Sequence, residues 1–324
     1  MKACIYGAGA IGGWLGVKLA RAGCDVAVVA RGATLEALQQ DGLRLREGDD
    51  TLPAPVRASA SPADLGVQDL VVLAVKAQAM PEVALCIGPL IGPGTVVLTA
   101  MNGVPWWFFE GFGGAHAGTR LEAVDPDGRI ARAIPAKHVV GCVVHASCSV
   151  DAPGVVRHHF GKKLILGEPS GEKTARVREL ADLLARAGFE TVVSEQIQKD
   201  AWYKLWGNMT VNPISAITGA TTDRILDDDL VRGFIGKVML EAREIGARIG
   251  IPIAQTPEDR HEVTRKLGAF RPSMLQDVDA GKSVELDALV TVVKELGELT
   301  GVPTPYTDAL LGLARLHARV RGLY

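Results

Sequence analysis

Lys204, Asn208 and Asn212 stand four residues apart, a spacing that places side chains together on a helix. Each step of four turns a helix by ~400°, so successive members drift only ~40° and share one face. Trp202, Leu205, Trp206 and Met209 supply apolar surroundings. A lysine among aromatics can have its pKa drawn toward neutrality and act as a general acid to a ketone oxygen. Asparagines can bind carboxylate or hydroxyl groups without titrating. The same spacing also suits a polar helix face in water, and it does not by itself choose between the two.

A second chemical feature lies at the start of the chain. Gly7-Ala8-Gly9-Ala10-Ile11-Gly12 fits G-x-G-x-x-G, directly after strand-like residues 3–6 and directly before a helix-like stretch over 11–22. In that context Gly7 allows the tight turn and Gly9 lets the backbone approach a pyrophosphate. Gly12 lets the helix pack on the strand, and the helix N-terminus offers free N–H groups to phosphate. The second strand ends near Ala30, where an NAD-binding chain would place Asp or Glu on the ribose hydroxyls. Here Arg31 follows. A guanidinium at that point can take a 2′-phosphate through paired donors, which favours NADP(H); the alternative is a solvated surface arginine. Glycine is abundant throughout, 37 of 324 residues or about 11% against a usual ~7%.

These groups need elements to position them. Residues 3–6, 25–30, 70–75, 95–100 and 139–144 are nearly continuous apolar runs, the pattern of strands covered on both faces in an α/β doubly wound sheet. Lys76 and Asn102 close two of these runs, at the edge where such a sheet binds its ligand. Residues 155–160 and 163–167 read as a hairpin-like pair around Gly161-Lys162. A helix over 174–187 is ended by Gly188, and a last short strand covers 191–194. Beyond this the pattern is helical: 195–211, 230–249 ended by Gly250, 257–267, 283–300 and 305–321. The expected division is a dinucleotide-binding domain over 1–194 and a helical substrate domain over 195–324. No linker separates them, so the default ligand site is a cleft between the two.

Composition excludes several classes. With 35 basic against 37 acidic residues there is no basic field for nucleic acid, and the arginines near the end (Arg315, Arg319, Arg321) read as a solvated helix face. No apolar run approaches the ~20 residues that span a bilayer. Gly7, Gly9, Gly12 and Gly13 interrupt the apolar start, which is read as part of the fold rather than a leader. Five cysteines without C-x-x-C indicate reduced thiols in a cytoplasmic protein, and the seven histidines have no metal spacing. No metal is expected.

Taken together, GAGAIG, Arg31, VKA at Lys76, NG at Asn102 and Gly103, KLWGNMTVNPISAITG from Lys204 and RPSMLQDVDAGKSVELD from Arg271 resemble the ketopantoate reductase (2-dehydropantoate 2-reductase) family over essentially the whole length. The last two stretches are the most specific. The resemblance implies a Rossmann-type domain followed by an all-helical one. It also implies an NADPH-dependent reduction of a 2-oxo acid to a 2-hydroxy acid, with ketopantoate as leading substrate, in pantothenate biosynthesis. It further implies that Lys204 protonates the developing alkoxide, that Asn208, Asn212 and Ser273 hold the substrate, and that Glu285 positions substrate and lysine. Lys76 and Asn102 would lie beside nicotinamide and substrate. On local grounds Ser273, after Pro272, is also a candidate helix N-cap, and Glu285 a first-turn acid.

One stretch departs from the shorter family members: Val104-Pro105-Trp106-Trp107-Phe108-Phe109 followed by glycine-rich 111–114. It either reshapes the substrate pocket or forms a lid, or it packs a helix against the sheet or a partner subunit. Three functional alternatives stay open: a paralogue acting on a bulkier 2-oxo acid, a dehydrogenase of the 6-phosphogluconate type, and a non-catalytic NADP(H)-binding regulator. Lys204 and Glu285 argue against the last, since a binder needs neither. The helical domain offers a surface for a homodimer.

Overall fold

The apolar runs form strands because each is flanked by helices that cover both of its faces. In a computed structural model that describes residues 1–324, the first unit comprises Met1–Met101, Glu110–Phe112 and Asp127–Asp200. Its strands are β1 (Lys2–Tyr6), β2 (Asp25–Val29), β3 (Leu43–Glu47), β4 (Asp50–Ala54), β5 (Arg57–Ser59), β6 (Gln68–Leu73), β7 (Ile91–Thr99), β8 (Val139–Ala152), β9 (Val155–Gly167) and β10 (Glu190–Val193). Its helices are α1 (Ala10–Arg21), α2 (Gly32–Asp41), α3 (Met80–Cys86), α4 (Arg129–Ala133) and α5 (Ala175–Arg186).

The strands make one sheet in the order β4-β3-β9-β8-β7-β6-β1-β2-β5, with β10 also paired to β9. From β8 to β5 all pairings are parallel, whereas β8–β9 and β3–β4 are antiparallel, so the sheet is mixed. Register brings Tyr6 level with Val29 and Leu73, and Leu73 level with Thr99. The loops leaving β1, β2 and β6 therefore start from one edge.

The pair expected around Gly161-Lys162 is instead a single strand. β9 runs without a break against β8, and the turn that joins them is at Pro153-Gly154, where Gly154 has φ +71°. Gly161 marks an irregularity in the register, with φ +77° and its carbonyl hydrogen-bonded to His158. Proline followed by a left-handed glycine is the stronger turn, and the register favours it. Close packing of α1 on the sheet depends on small residues. A Cβ on Gly13 would lie 2.6 Å from Val156, and one on Gly16 2.8 Å from Leu43. Between them Trp14 is 1% exposed, stacked on His158 at 5.2 Å and edge-on to Phe189 at 4.7 Å.

The second unit comprises Asn102–Phe109, Gly113–Pro126 and Ala201–Tyr324. Its helices are α6 (Ile197–Thr218), whose first turn belongs to the first unit, α7 (Thr222–Asp227), α8 (Asp229–Arg248), α9 (Pro257–Arg265), α10 (Ser273–Asp279), α11 (Val292–Thr300) and α12 (Pro305–Val320). A π-helical turn, Asp287–Thr291, leads into α11. The single cut expected after residue 194 thus differs from the packing in two ways: it falls after Asp200, and two segments of the earlier chain join the helical unit. The aromatic run explains the first of these segments. Trp106, Trp107, Phe108 and Phe109 are all buried, and Phe108 lies 6.2 Å from Trp202, so they are core residues of that unit. Helix α6 also runs past its expected end at 211, through Pro213. The turn around it, residues 211–216, is buried.

No helix is long and apolar enough to cross a membrane. All five cysteines are free, and burial is the main cause pushing the Cys4 and Cys148 thiols up to about 12. Because Trp14 is buried against His158 and Phe189, Trp14→Ala is expected to lower stability by about 3–5 kcal/mol. Equilibrium unfolding in urea measures this, and a loss well under that range would mean that α1 carries little of the packing.

Candidate functional site

Helix α1 opens the first part of the site. Gly7 needs its left-handed φ of +100°, and an added Cβ there would meet Val75 at 2.7 Å. A Cβ on Gly12 would lie 1.9 Å from the Gly7 carbonyl oxygen, so helix and turn fit only without one. Gly9 differs: a Cβ there would meet nothing within 4 Å, which leaves the approach to the helix N-terminus open. Gly9 is also the N-cap. It offers no side-chain acceptor, and the first turn of α1, from Ala10 and Ile11 onward, carries no acid. Open backbone, unfilled cap and unneutralised helix dipole are what a pyrophosphate requires, and the residues Gly7, Ala8, Gly9, Ala10, Ile11 and Gly12 fit a dinucleotide.

Arg31 stands at the N-cap of α2, just past β2, and its exposed guanidinium pairs with Glu82 in the first turn of α3. The sequence offers no sign of this partner, which lies 51 residues away. Nearby, burial and then the neighbouring Cys86 and Glu82 push the Tyr6 phenol up to about 12, so Tyr6 is neutral. Lys76 lies three residues beyond the end of β6, half-buried, and caps a short 3-10 turn over Ala77–Ala79.

The second part is built on α6. Trp202, Leu205, Trp206 and Met209 are buried, and the Trp206 indole N–H donates to the Met239 carbonyl of α8 at 2.7 Å. That anchoring fixes the rotation of α6 and leaves Lys204 and Asn208, both half-buried, on another face. Lys204 Nζ donates to Asn102 Oδ1 at 2.8 Å. One turn past Asn208, Asn212 is buried and its Nδ2 lies 3.4 Å from Ser273 Oγ. Ser273 is the first residue of α10, after the Pro272 cap, and makes no side-chain capping bond. The N-cap reading of Ser273 is therefore corrected, because its hydroxyl turns to Asn212. Glu285 is 5% exposed and lies before the helical turn rather than within it, so the reading as a first-turn acid is corrected as well.

The structure thus brings Lys204 to Asn102 and Asn212 to Ser273, a primary ammonium and a set of neutral hydrogen-bonding groups. Such a set can hold a polar substrate and deliver one proton. Sequence reasoning missed how Asn102 is held. Gly103, with φ +85°, packs so closely on Ala288 that a Cβ would lie 2.4 Å from its carbonyl oxygen, and the next N–H, that of Val104, donates to this carbonyl at 2.9 Å. The NG dipeptide was the available signal; its partner 185 residues later was not.

Comparison with known proteins agrees with this architecture. The family model for ketopantoate reductase PanE/ApbA matches residues 3–171, and that for its C-terminal part matches residues 196–318. A 2-dehydropantoate 2-reductase from Mesorhizobium japonicum is 48% identical over 325 residues, covering all of both chains. A crystal structure from Ralstonia solanacearum MolK2, described as a ketopantoate reductase, superposes with a TM-score of 0.94 at 58% identity, covering 99% of each chain. D-mandelate dehydrogenase has the same fold, with a TM-score of 0.86 at 21% identity over both full chains. Matched in both halves by the family models and over its whole length by relatives at this identity, the chain belongs to the ketopantoate reductase family.

Proposed function

We propose that this protein is an NADPH-dependent reductase of a 2-oxo acid, with 2-dehydropantoate as its leading substrate and pantoate as the product. The observation that carries the reading is the Lys204–Asn102 hydrogen bond on the same helix face as Asn208, with the Asn212–Ser273 contact farther along α6. The named activity of the 48% identical relative supports the same substrate. A nicotinamide dinucleotide held through its pyrophosphate at Gly7 to Gly12 would supply the hydride that reduces the carbonyl. Every other part of the reaction falls to the chain's own residues. Lys204 gives its proton to the carbonyl oxygen as charge develops there. Asn102 keeps the ammonium aimed, and its amide oxygen accepts without competing for the proton. Asn208, Asn212 and Ser273 bind the carboxylate and hydroxyl of the substrate through neutral groups. Glu285, buried and acidic, orients the substrate hydroxyl and the lysine.

Arg31 is proposed to take the 2′-phosphate. Its pairing with Glu82 is exposed, and a pair of this kind contributes only about 0–1 kcal/mol, so exchanging it for a phosphate costs little.

Two measurements test the reading. Following NADPH absorbance, Lys204→Ala should keep cofactor binding while turnover of 2-dehydropantoate falls by roughly 10²-fold or more; unchanged turnover removes Lys204 from the chemistry. Including bulkier and aromatic 2-oxo acids in the same assay ranks the substrates, and a preference for one of these would replace 2-dehydropantoate. Arg31→Ala should weaken NADPH far more than NADH in a binding titration, and equal losses would sink the phosphate assignment.

A further inference from the structure

Glu285 lies in a stretch without regular structure, residues 282–285, between the end of α10 and the π turn. The chain on either side of this buried carboxylate is tied to two neighbouring residues beyond α12. Val284 N–H donates to the Leu323 carbonyl at 3.0 Å. On the other side of Glu285, the Tyr324 hydroxyl donates to Asp287 Oδ1 at 2.6 Å, an oxygen that also accepts from Thr291 Oγ1 at 2.9 Å. Leu323 and Tyr324 therefore bracket Glu285.

The bracket is itself firmly placed. Leu323 is 6% exposed and its N–H returns to the Ala318 carbonyl at 2.8 Å, with Gly322 at φ +68° making the reversal. The Arg319 guanidinium lies 5.5 Å from the Tyr324 ring centre. Burial and the bond to Asp287 push the phenol up to about 12.

From Asp287 the connection continues. Asp287 begins the π turn, and the next residue, Ala288, presents the carbonyl that accepts from Val104 and against which Gly103 is packed. Gly103 adjoins Asn102, the acceptor of the Lys204 bond. A path of direct contacts thus joins Tyr324 to Lys204 and passes beside Glu285.

We propose that Leu323 and Tyr324 are positioning residues of the reaction: they fix Glu285 and, through the π turn, seat Asn102 against Lys204. The proposal rests on the roles given above to Lys204 and Glu285.

Tyr324→Phe in the full chain removes one hydroxyl from a partly exposed ring and leaves the apolar packing intact. Its kcat for the 2-oxo acid should fall roughly tenfold, the scale of a small misplacement, with NADPH affinity and Tm unchanged. Amide exchange at Val284 and Val104 should quicken. Asp287→Asn keeps the acceptor oxygen and should retain kcat. Asp287→Ala should match Tyr324→Phe, and the double variant should fall no further than either single one. Unchanged kcat in Tyr324→Phe overturns the proposal, as does a fall in kcat that merely follows a loss of Tm. Should the unmodified protein reduce no 2-oxo acid, the functional reading fails, and the exchange rates at Val104 then decide the tether independently.

Discussion

A half-buried ammonium group on a long side chain is held in place by its hydrogen bonds, and Lys204 makes one of 2.8 Å to Asn102. Much of the second unit can be understood as keeping those two side chains in reach. Lysine has a long, flexible stem, so the helix beneath it must not rotate. Trp202 and Trp206 prevent this: both are buried, Trp206 is bonded to Met239, and Trp202 fits where Gly246 leaves no Cβ in the way of its indole. Asn102 is on a loop, and a loop needs a different device. The contact of Gly103 with Ala288 and the Val104 hydrogen bond supply it on one side. The buried aromatics at 106–109 supply it on the other.

This accounts for the exchange of segments between the units. Residues 102–109 follow β7 in the chain but are counted with the helices, because four large aromatic side chains bury their surface there. At about 25 cal/mol per Å² of apolar surface, aromatics of 150–250 Å² each outweigh the conformational cost of ordering so short a segment. The aromatic run thus has a structural task, and the position of Asn102 depends on it.

How much of this was legible depends on whether a residue's partner is near in sequence. The central strands could be read because continuous apolar runs such as Leu70–Leu73 have few other uses. β3, β4 and β5 were not, since LRLRE alternates arginine with leucine, DTLPA contains a proline and RAS is three residues long. β4 and β5 are edge strands, and all three sequences have a pattern close to that of loops. Pro153-Gly154 and Gly161-Lys162 both carry turn residues, and only pairing in space distinguishes them. Among site residues, Gly7 to Gly12 and the Lys204 helix are local patterns and were legible. Ser273 and Glu285 entered through family resemblance, as Ser273 meets the distant Asn212 and the neighbours of Glu285, Val284 and Asp287, are bonded to the distant Leu323 and Tyr324.

Arg31 shows how a single distant residue changes the meaning of a local one. Taken alone, a guanidinium past the second strand favours a phosphate over a hydroxyl. Beside Glu82 its charge is partly cancelled, and the carboxylate is also a second possible acceptor for ribose hydroxyls. Cofactor preference is a difference between two binding free energies, so Glu82 acts on both sides of it. Its charge would repel a 2′-phosphate, and its oxygens would accept a hydrogen bond from a free ribose hydroxyl. The two effects work in the same direction, against the one exerted by Arg31. In the role proposed for Arg31, the pair rather than the arginine alone would set the size of any preference.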